Sequence, residues 1–73
     1  MKYIVLDHYF MYLFPASDSH DKFLQCLNST RKCTSAGFVR KGVCCGESLT
    51  LGITSSPKDT ALFNNLMDRK YQD

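Results

Sequence analysis

The segment that most constrains the fold is residues 38–53, where a short extended run is followed by a tight turn and a longer alternating run. From Val43 onward, apolar residues at odd positions alternate with small or polar residues at even positions, a pattern typical of a half-buried strand. Lys41 and Gly42 lie where a hairpin turn needs a residue that tolerates positive φ. The segment therefore predicts a β-hairpin whose second strand runs from Val43 to Ile53.

Glu47 is the one residue that breaks this alternation. Such violations are enriched at functional sites, so Glu47 is a candidate partner-binding residue. The alternative, non-functional interpretation is a β-bulge at Gly46. The bulge shifts the alternation of inward and outward side chains and leaves Glu47 solvated at a turn or an edge. We favour the bulge and keep the glutamate as a candidate.

Residues 2–14 are rich in aromatic and β-branched types, which suit strands. Apolar side chains occupy both parities, which indicates a central strand covered on both faces, or two short strands broken at Asp7 and His8. We expect one long strand with an irregularity at these two residues. Pro15 ends it, because proline lacks the N–H that a ladder needs.

A first helix is predicted over residues 19–28, with Ser17 or Asp18 as its N-cap. One side of this helix carries His20, Phe23, Leu24 and Leu27. A polar, basic connection is expected to follow over residues 29–35.

A second helix is predicted by the clearest local signal in the chain. Ser56 is a good N-cap, Pro57 suits the first helical position, and Asp59 completes an arrangement like a capping box. The apolar stripe that follows consists of Leu62, Phe63, Leu66 and Met67.

These elements fit one small domain over residues 1–73, because a separate core needs roughly 100 residues. We expect an α+β fold in the order β-α-β-β-α, with a three-stranded, mainly antiparallel sheet and two helices in a two-layer sandwich. If residues 2–14 have two buried faces, the helices lie on opposite sides of the sheet or a second subunit covers one face. A homodimer is therefore also expected.

The charge balance and the N-terminal segment argue against several classes of protein. Nine basic and seven acidic side chains give a net charge of +2, far from the excess of a dedicated nucleic-acid binder. Asp7 and His8 interrupt the first apolar run, no small-residue cleavage site follows, and no run is long enough to cross a bilayer. We expect a cytoplasmic protein with no membrane partner.

The four cysteines favour free thiols, with disulfides as an alternative. Their spacing contains no C-x-x-C pair, and the adjacent Cys44 and Cys45 point to opposite faces of a strand. The remaining alternative is a zinc site. Its candidate ligands are Cys26, Cys33 and His20, with His8 as a substitute for His20.

Catalytic residue types are present without a catalytic pattern. Histidines beside aspartates, and the cysteines, suit acid–base or nucleophilic chemistry, but their spacing matches no signature. The glycine at position 46 lacks the partner glycine of a nucleophile elbow, and no phosphate loop or dinucleotide fingerprint occurs. We therefore predict a non-enzymatic protein that uses no cofactor.

Two basic pairs support nucleic-acid binding as an alternative function. Arg31 and Lys32 precede the predicted hairpin, and Arg40 and Lys41 lie at its turn. If the loop folds back toward the turn, four positive charges gather at one end of the sheet and can contact a phosphate backbone.

The tyrosines carry the leading functional prediction. Tyr3, Tyr9 and Tyr12 are too many to be buried together in so small a core, and tyrosine on a rigid sheet is favoured at protein interfaces. With Glu47, they form the predicted partner-binding set for an unidentified protein. Small chains of this kind are common among phage and mobile-element accessory proteins that regulate or inhibit host machinery, and we expect a role of that type.

Overall fold

The computed structural model describes residues 1–71, with side chains as far as residue 68. Within this range the chain is α+β, with two helices and mostly antiparallel sheet, so the predicted class is confirmed. The elements are β1 (Lys2–Leu6), β2 (Phe10–Phe14), α1 (His20–Leu27), β3 (Cys33–Arg40), β4 (Val43–Cys45), β5 (Glu47–Ser48), β6 (Ile53–Thr54) and α2 (Asp59–Tyr71). This order differs from the predicted β-α-β-β-α.

The main sheet has four strands in the order β2-β1-β3-β4, and every neighbouring pair is antiparallel. β5 and β6 form a separate two-stranded hairpin. β1 is central, and its pairing with β3 shifts register between Val5 and Leu6. The predicted three-stranded sheet is therefore wrong in its strand number, while its antiparallel character is correct.

The extra strand arises because residues 2–14 form a hairpin, so the prediction of one long strand is wrong. Asp7 and His8 take left-handed backbone angles, with φ of 51° and 60°, and Tyr9 N donates to Leu6 O at 3.1 Å. Aspartate and histidine tolerate this region better than most residues. The alternative of two strands broken at these residues is the correct one.

The turn at Lys41 and Gly42 is confirmed, with φ of 50° and 77°. The long second strand is not, because β4 ends at Cys45 and Gly46 follows with φ of 82°. The predicted faces are also wrong. Cys44 and Ser48, at even positions, are buried, whereas Val43 and Leu49 at odd positions are exposed.

The predicted end of α1 at Asn28 is confirmed, but its N-cap and the connection that follows it differ from the prediction. Ser19 is the N-cap, in place of Ser17 or Asp18, and Asn28 ends the helix with φ of 47°. The connection after α1 is shorter than expected, because Cys33 already belongs to β3.

Both faces of the sheet are covered, so the fold has three layers and the predicted two-layer sandwich is wrong. On one face, α1 and the β5–β6 hairpin pack against a cluster made of Ile4, Leu6, Phe14 and Ala36. On the other face, α2 packs against Tyr3, Val5 and Cys44 through Phe63. The central strand β1 supplies buried side chains to both clusters, which is the reason that residues 3–6 are apolar at both parities.

Asp59 anchors α2 to the sheet. Its buried carboxylate accepts hydrogen bonds from Tyr3 Oη at 2.5 Å, Ser35 Oγ at 2.9 Å and Ser56 N at 2.8 Å. The bond from Ser56 confirms the predicted capping arrangement. Burial of the phenol and its bond to the carboxylate raise the pKa of Tyr3 above its ordinary value.

Candidate functional site

The outer edge of β2 is an unpaired edge of the main sheet among the described residues. β2 is the first strand in the sheet order, and no strand in the described part of the chain pairs with its outer side. In an antiparallel strand, alternate residues direct their N–H and C=O groups away from the existing partner. The strand reads Phe-Met-Tyr-Leu-Phe, with no charge, no proline and no glycine. It therefore has none of the usual sequence features that prevent edge pairing.

A groove lies between this edge and α2, and we call it the edge groove. It encloses about 270 Å³. Its lining consists of Tyr9, Phe10, Met11, Tyr12, Leu62, Asn65 and Leu66. Three of its large hydrophobic side chains are exposed, with 57% of Tyr9, 36% of Tyr12 and 37% of Leu66 open to solvent. The groove is therefore apolar, uncharged and bordered by two tyrosine rings.

The turn that begins the edge is held by contacts from a distant loop. Asp7 pairs with Arg31 at 3.2 Å, and its backbone N donates to Lys32 O at 2.8 Å. The Arg31 guanidinium also lies 4.0 Å from the centre of the Phe10 ring. Such contacts restrain the turn and the first residue of β2. Tyr9 therefore follows a turn that is restrained by contacts with residues 31 and 32.

The structure brings together only part of the predicted partner-binding set. Tyr9 and Tyr12 share the edge groove. Tyr3 lies fully buried in the α2 face of the core, so it cannot contribute to a contact surface. Glu47 is exposed at the start of β5 and borders a different cleft, and Gly46 separates two strands where a bulge within one strand was predicted.

The expected gathering of basic residues does not occur. Arg31 and Lys32 precede β3, whereas Arg40 ends it and Lys41 lies in the turn beyond. Since β3 has eight residues, the two pairs are about 20 Å or more apart at roughly 3.3 Å per residue. Arg31 is also engaged with Asp7. The single positive patch on which the nucleic-acid alternative depends is therefore absent from the described residues.

The cysteines are free thiols in different environments. Cys26 is exposed on α1, Cys33 and Cys45 are partly buried, and Cys44 is buried. Burial, reinforced by the charge of Asp59, raises the pKa of the Cys44 thiol to about 11, so this sulfur is a poor nucleophile at neutral pH. Burial also raises the pKa of Cys33.

The zinc alternative gains no support from geometry. Among residues 1–71, no group of three or more histidine, cysteine or acidic residues is placed to hold a metal ion. His20 is buried, and its Nε2 lies 3.0 Å from Gly37 O. A carbonyl only accepts, so this nitrogen donates to the backbone and is not free to bind a metal.

The edge groove includes residues for which the sequence predicts another place. The sequence pattern predicts Met11 in a central strand and Leu66 in the apolar stripe of a helix, yet both border the groove. The sequence signal for this edge is the polar pair Asp7 and His8. A hairpin turn at these residues divides residues 2–14 into two strands, and the second of them becomes an edge strand.

Comparisons with protein-family models, curated proteins and solved structures find no match. No helix among the described residues has both the length and the apolar character needed to cross a membrane.

Proposed function

We propose that this chain works by protein–protein contact, with the outer edge of β2 as its binding surface. The observation that carries the proposal is the free, uncharged edge of β2 beside an apolar groove. Edge strands of this length and composition are normally covered or protected by charge, because they pair readily with other chains. An edge that lacks this protection fits a surface that is covered by a partner.

The occupant that fits this surface is an extended, apolar segment of a protein, which adds to the sheet as a further strand. Backbone hydrogen bonds to the outward groups of β2 supply affinity. Alternate side chains of the added strand contact Tyr12 or Leu66, which supplies specificity. The groove lining carries no charged side chain, so an apolar segment is a better match than an acidic or basic one.

Binding of this kind occupies the partner's segment and hides it from other proteins. We therefore retain a regulatory or inhibitory role as part of the proposal, without catalysis by this chain. A second copy of the chain is one donor of the added strand, and the test below distinguishes it from a different protein.

The test compares lysine substitutions at the two edges of the sheet. Tyr12→Lys places a charge on the β2 edge, and Val43→Lys places the same charge at an exposed position on β4. Sedimentation of the purified chain measures self-association. Native purification of the tagged chain from its source cells, followed by quantitative mass spectrometry, measures a stoichiometric partner.

We expect Tyr12→Lys to weaken the complex by at least about tenfold, with Val43→Lys close to the wild type. Hydrogen exchange should also slow at the outward amides of β2 when the complex forms. Equal binding by both lysine variants would contradict the proposal. So would a wild-type chain that forms neither a dimer nor a stoichiometric complex.

A further inference from the structure

A second cavity lies on the opposite side of the sheet, and we call it the Arg40 cleft. It has a volume of about 540 Å³, within the range of small-molecule sites, which are roughly 300–1,000 Å³. Its walls are the start of α1 and the β5–β6 hairpin, and its floor is formed by β1, β3 and β4. The lining of the cleft includes Lys2, His20, Phe38, Arg40, Glu47 and Leu49.

Strand register explains the floor. Lys2 pairs with Phe38, and Phe38 pairs with Cys45, so these three side chains lie in a row on one face of the sheet. Arg40 lies two residues beyond Phe38 on the same face. The floor therefore has an aromatic ring at its centre and a cation on each of two neighbouring strands.

The two cations are not neutralised by nearby carboxylates. Lys2 Nζ donates to Asp18 O at 2.7 Å, a backbone carbonyl that carries no net charge. Arg40 is exposed and forms no ion pair within residues 1–68. Glu47 is the one acidic side chain in the cleft lining. Two cations against one carboxylate leave the cleft positive.

The rest of the cleft adds apolar surface beside the two cations. Leu49 is 85% exposed at the hairpin wall, and the His20 ring packs edge-on against Phe38 at 5.7 Å. The cleft therefore offers an apolar contact surface within reach of its positive groups.

We propose that the Arg40 cleft binds a small organic anion that has an apolar or aromatic body and one acidic group. The acidic group contacts Arg40 and Lys2, since charge-assisted hydrogen bonds are the strongest available there. The body lies over Phe38 and against Leu49. Glu47 disfavours ligands with several negative charges. This site is separate from the edge groove and does not depend on the function proposed above.

The test uses two probes that differ only in charge, 2-naphthoate and the neutral 2-naphthamide. Each is titrated into the isotopically labelled chain at neutral pH while amide chemical shifts are followed by NMR. We expect naphthoate to bind at least about tenfold more tightly than the amide, with the largest shifts at Gly46 and Leu49. The matched variants are Arg40→Gln and Lys41→Gln, which remove neighbouring exposed cations inside and outside the cleft.

Arg40→Gln should reduce the preference for the acid to less than about threefold, while Lys41→Gln should retain it. Equal affinity for the two probes would overturn the proposal, as would no detectable binding at millimolar concentration. Shifts confined to β2, or the same loss of preference in both variants, would also overturn it, because either result locates the effect outside the cleft.

Discussion

β2 and β4 are the two edge strands of one sheet, and their outer sides are closed to different degrees. β4 has three residues, and its Cys44 N donates to Thr60 Oγ1 of α2 at 3.0 Å. The chain then turns away at Gly46, whose carbonyl accepts from Ser55 N at 3.0 Å. β2 has five residues, and α2 side chains such as Leu62 and Leu66 line the groove beside it without hydrogen-bonding to its backbone among the described residues. A helix hydroxyl and a glycine kink therefore close the β4 edge, and β2 has neither feature.

The largest expected effect comes from releasing α2, which carries the hydroxyl that closes the β4 edge. Asp59→Ala removes the buried acceptor of three hydrogen bonds. The free energy of unfolding should fall by about 3 kcal/mol, because two hydroxyls and a helix cap lose their partner. Urea denaturation followed by circular dichroism measures this.

Asp68→Ala is the matched control, because this aspartate is exposed on the same helix. It should change stability by less than about 0.5 kcal/mol. Equal effects of the two substitutions would show that the buried carboxylate does not anchor the helix.

The next effect is a loss of stability at alkaline pH that involves the α2 side of the sheet. The folded-state pKa of Cys44 is about 11 against an ordinary 9.0, and that of Tyr3 is also raised. The unfolded chain therefore releases these protons first as the pH rises. The stabilisation is complete below about pH 9 and is lost as the pH rises through the folded-state values.

Urea midpoints at pH 7, 9 and 10.5 measure this loss. Cys44→Ala should remove the part that begins near pH 9, whereas Cys26→Ala, at an exposed thiol, should leave the profile unchanged. A flat profile in the wild type between pH 7 and 10.5 would contradict the assignment.

The smallest effect concerns the single hydrogen bond that closes the β4 edge. Thr60→Val should lower the free energy of unfolding by about 1 kcal/mol and speed hydrogen exchange at the Cys44 amide. Thr54→Val, at an exposed strand position, is the control. If exchange at Cys44 is the same in both variants, the threonine does not protect β4 and the two edges are more alike than the structure indicates.

Sequence reasoning succeeded where the signal is local. The cap at Ser56 and Asp59 and the turn at Lys41 and Gly42 each depend on residues within a few positions, and both are confirmed. The capping residue Asp59 also bonds to Tyr3 and Ser35, and no pattern in the sequence indicates these distant contacts.

The break between β1 and β2 shows why the candidate site was predicted only in part. The left-handed turn at Asp7 is held by Arg31 and Lys32, and His8 N donates to Thr34 Oγ1 at 2.9 Å. These partners are distant in the sequence, so the aromatic and β-branched residues at both parities alone favoured a continuous strand. If residues 2–14 formed one continuous strand, Tyr12 would not lie on an edge strand. The predicted strand therefore gives no structural reason for the exposure of Tyr12.

The central place of β1 has a consequence for the order in which the sheet assembles. A short turn joins β1 to β2, but the other neighbour of β1 begins only at Cys33. A chain in which only this first hairpin has formed presents an apolar strand with no neighbour on one side and no helix on the α2 face. Slow pairing of β3 during refolding therefore prolongs an intermediate that is prone to aggregate.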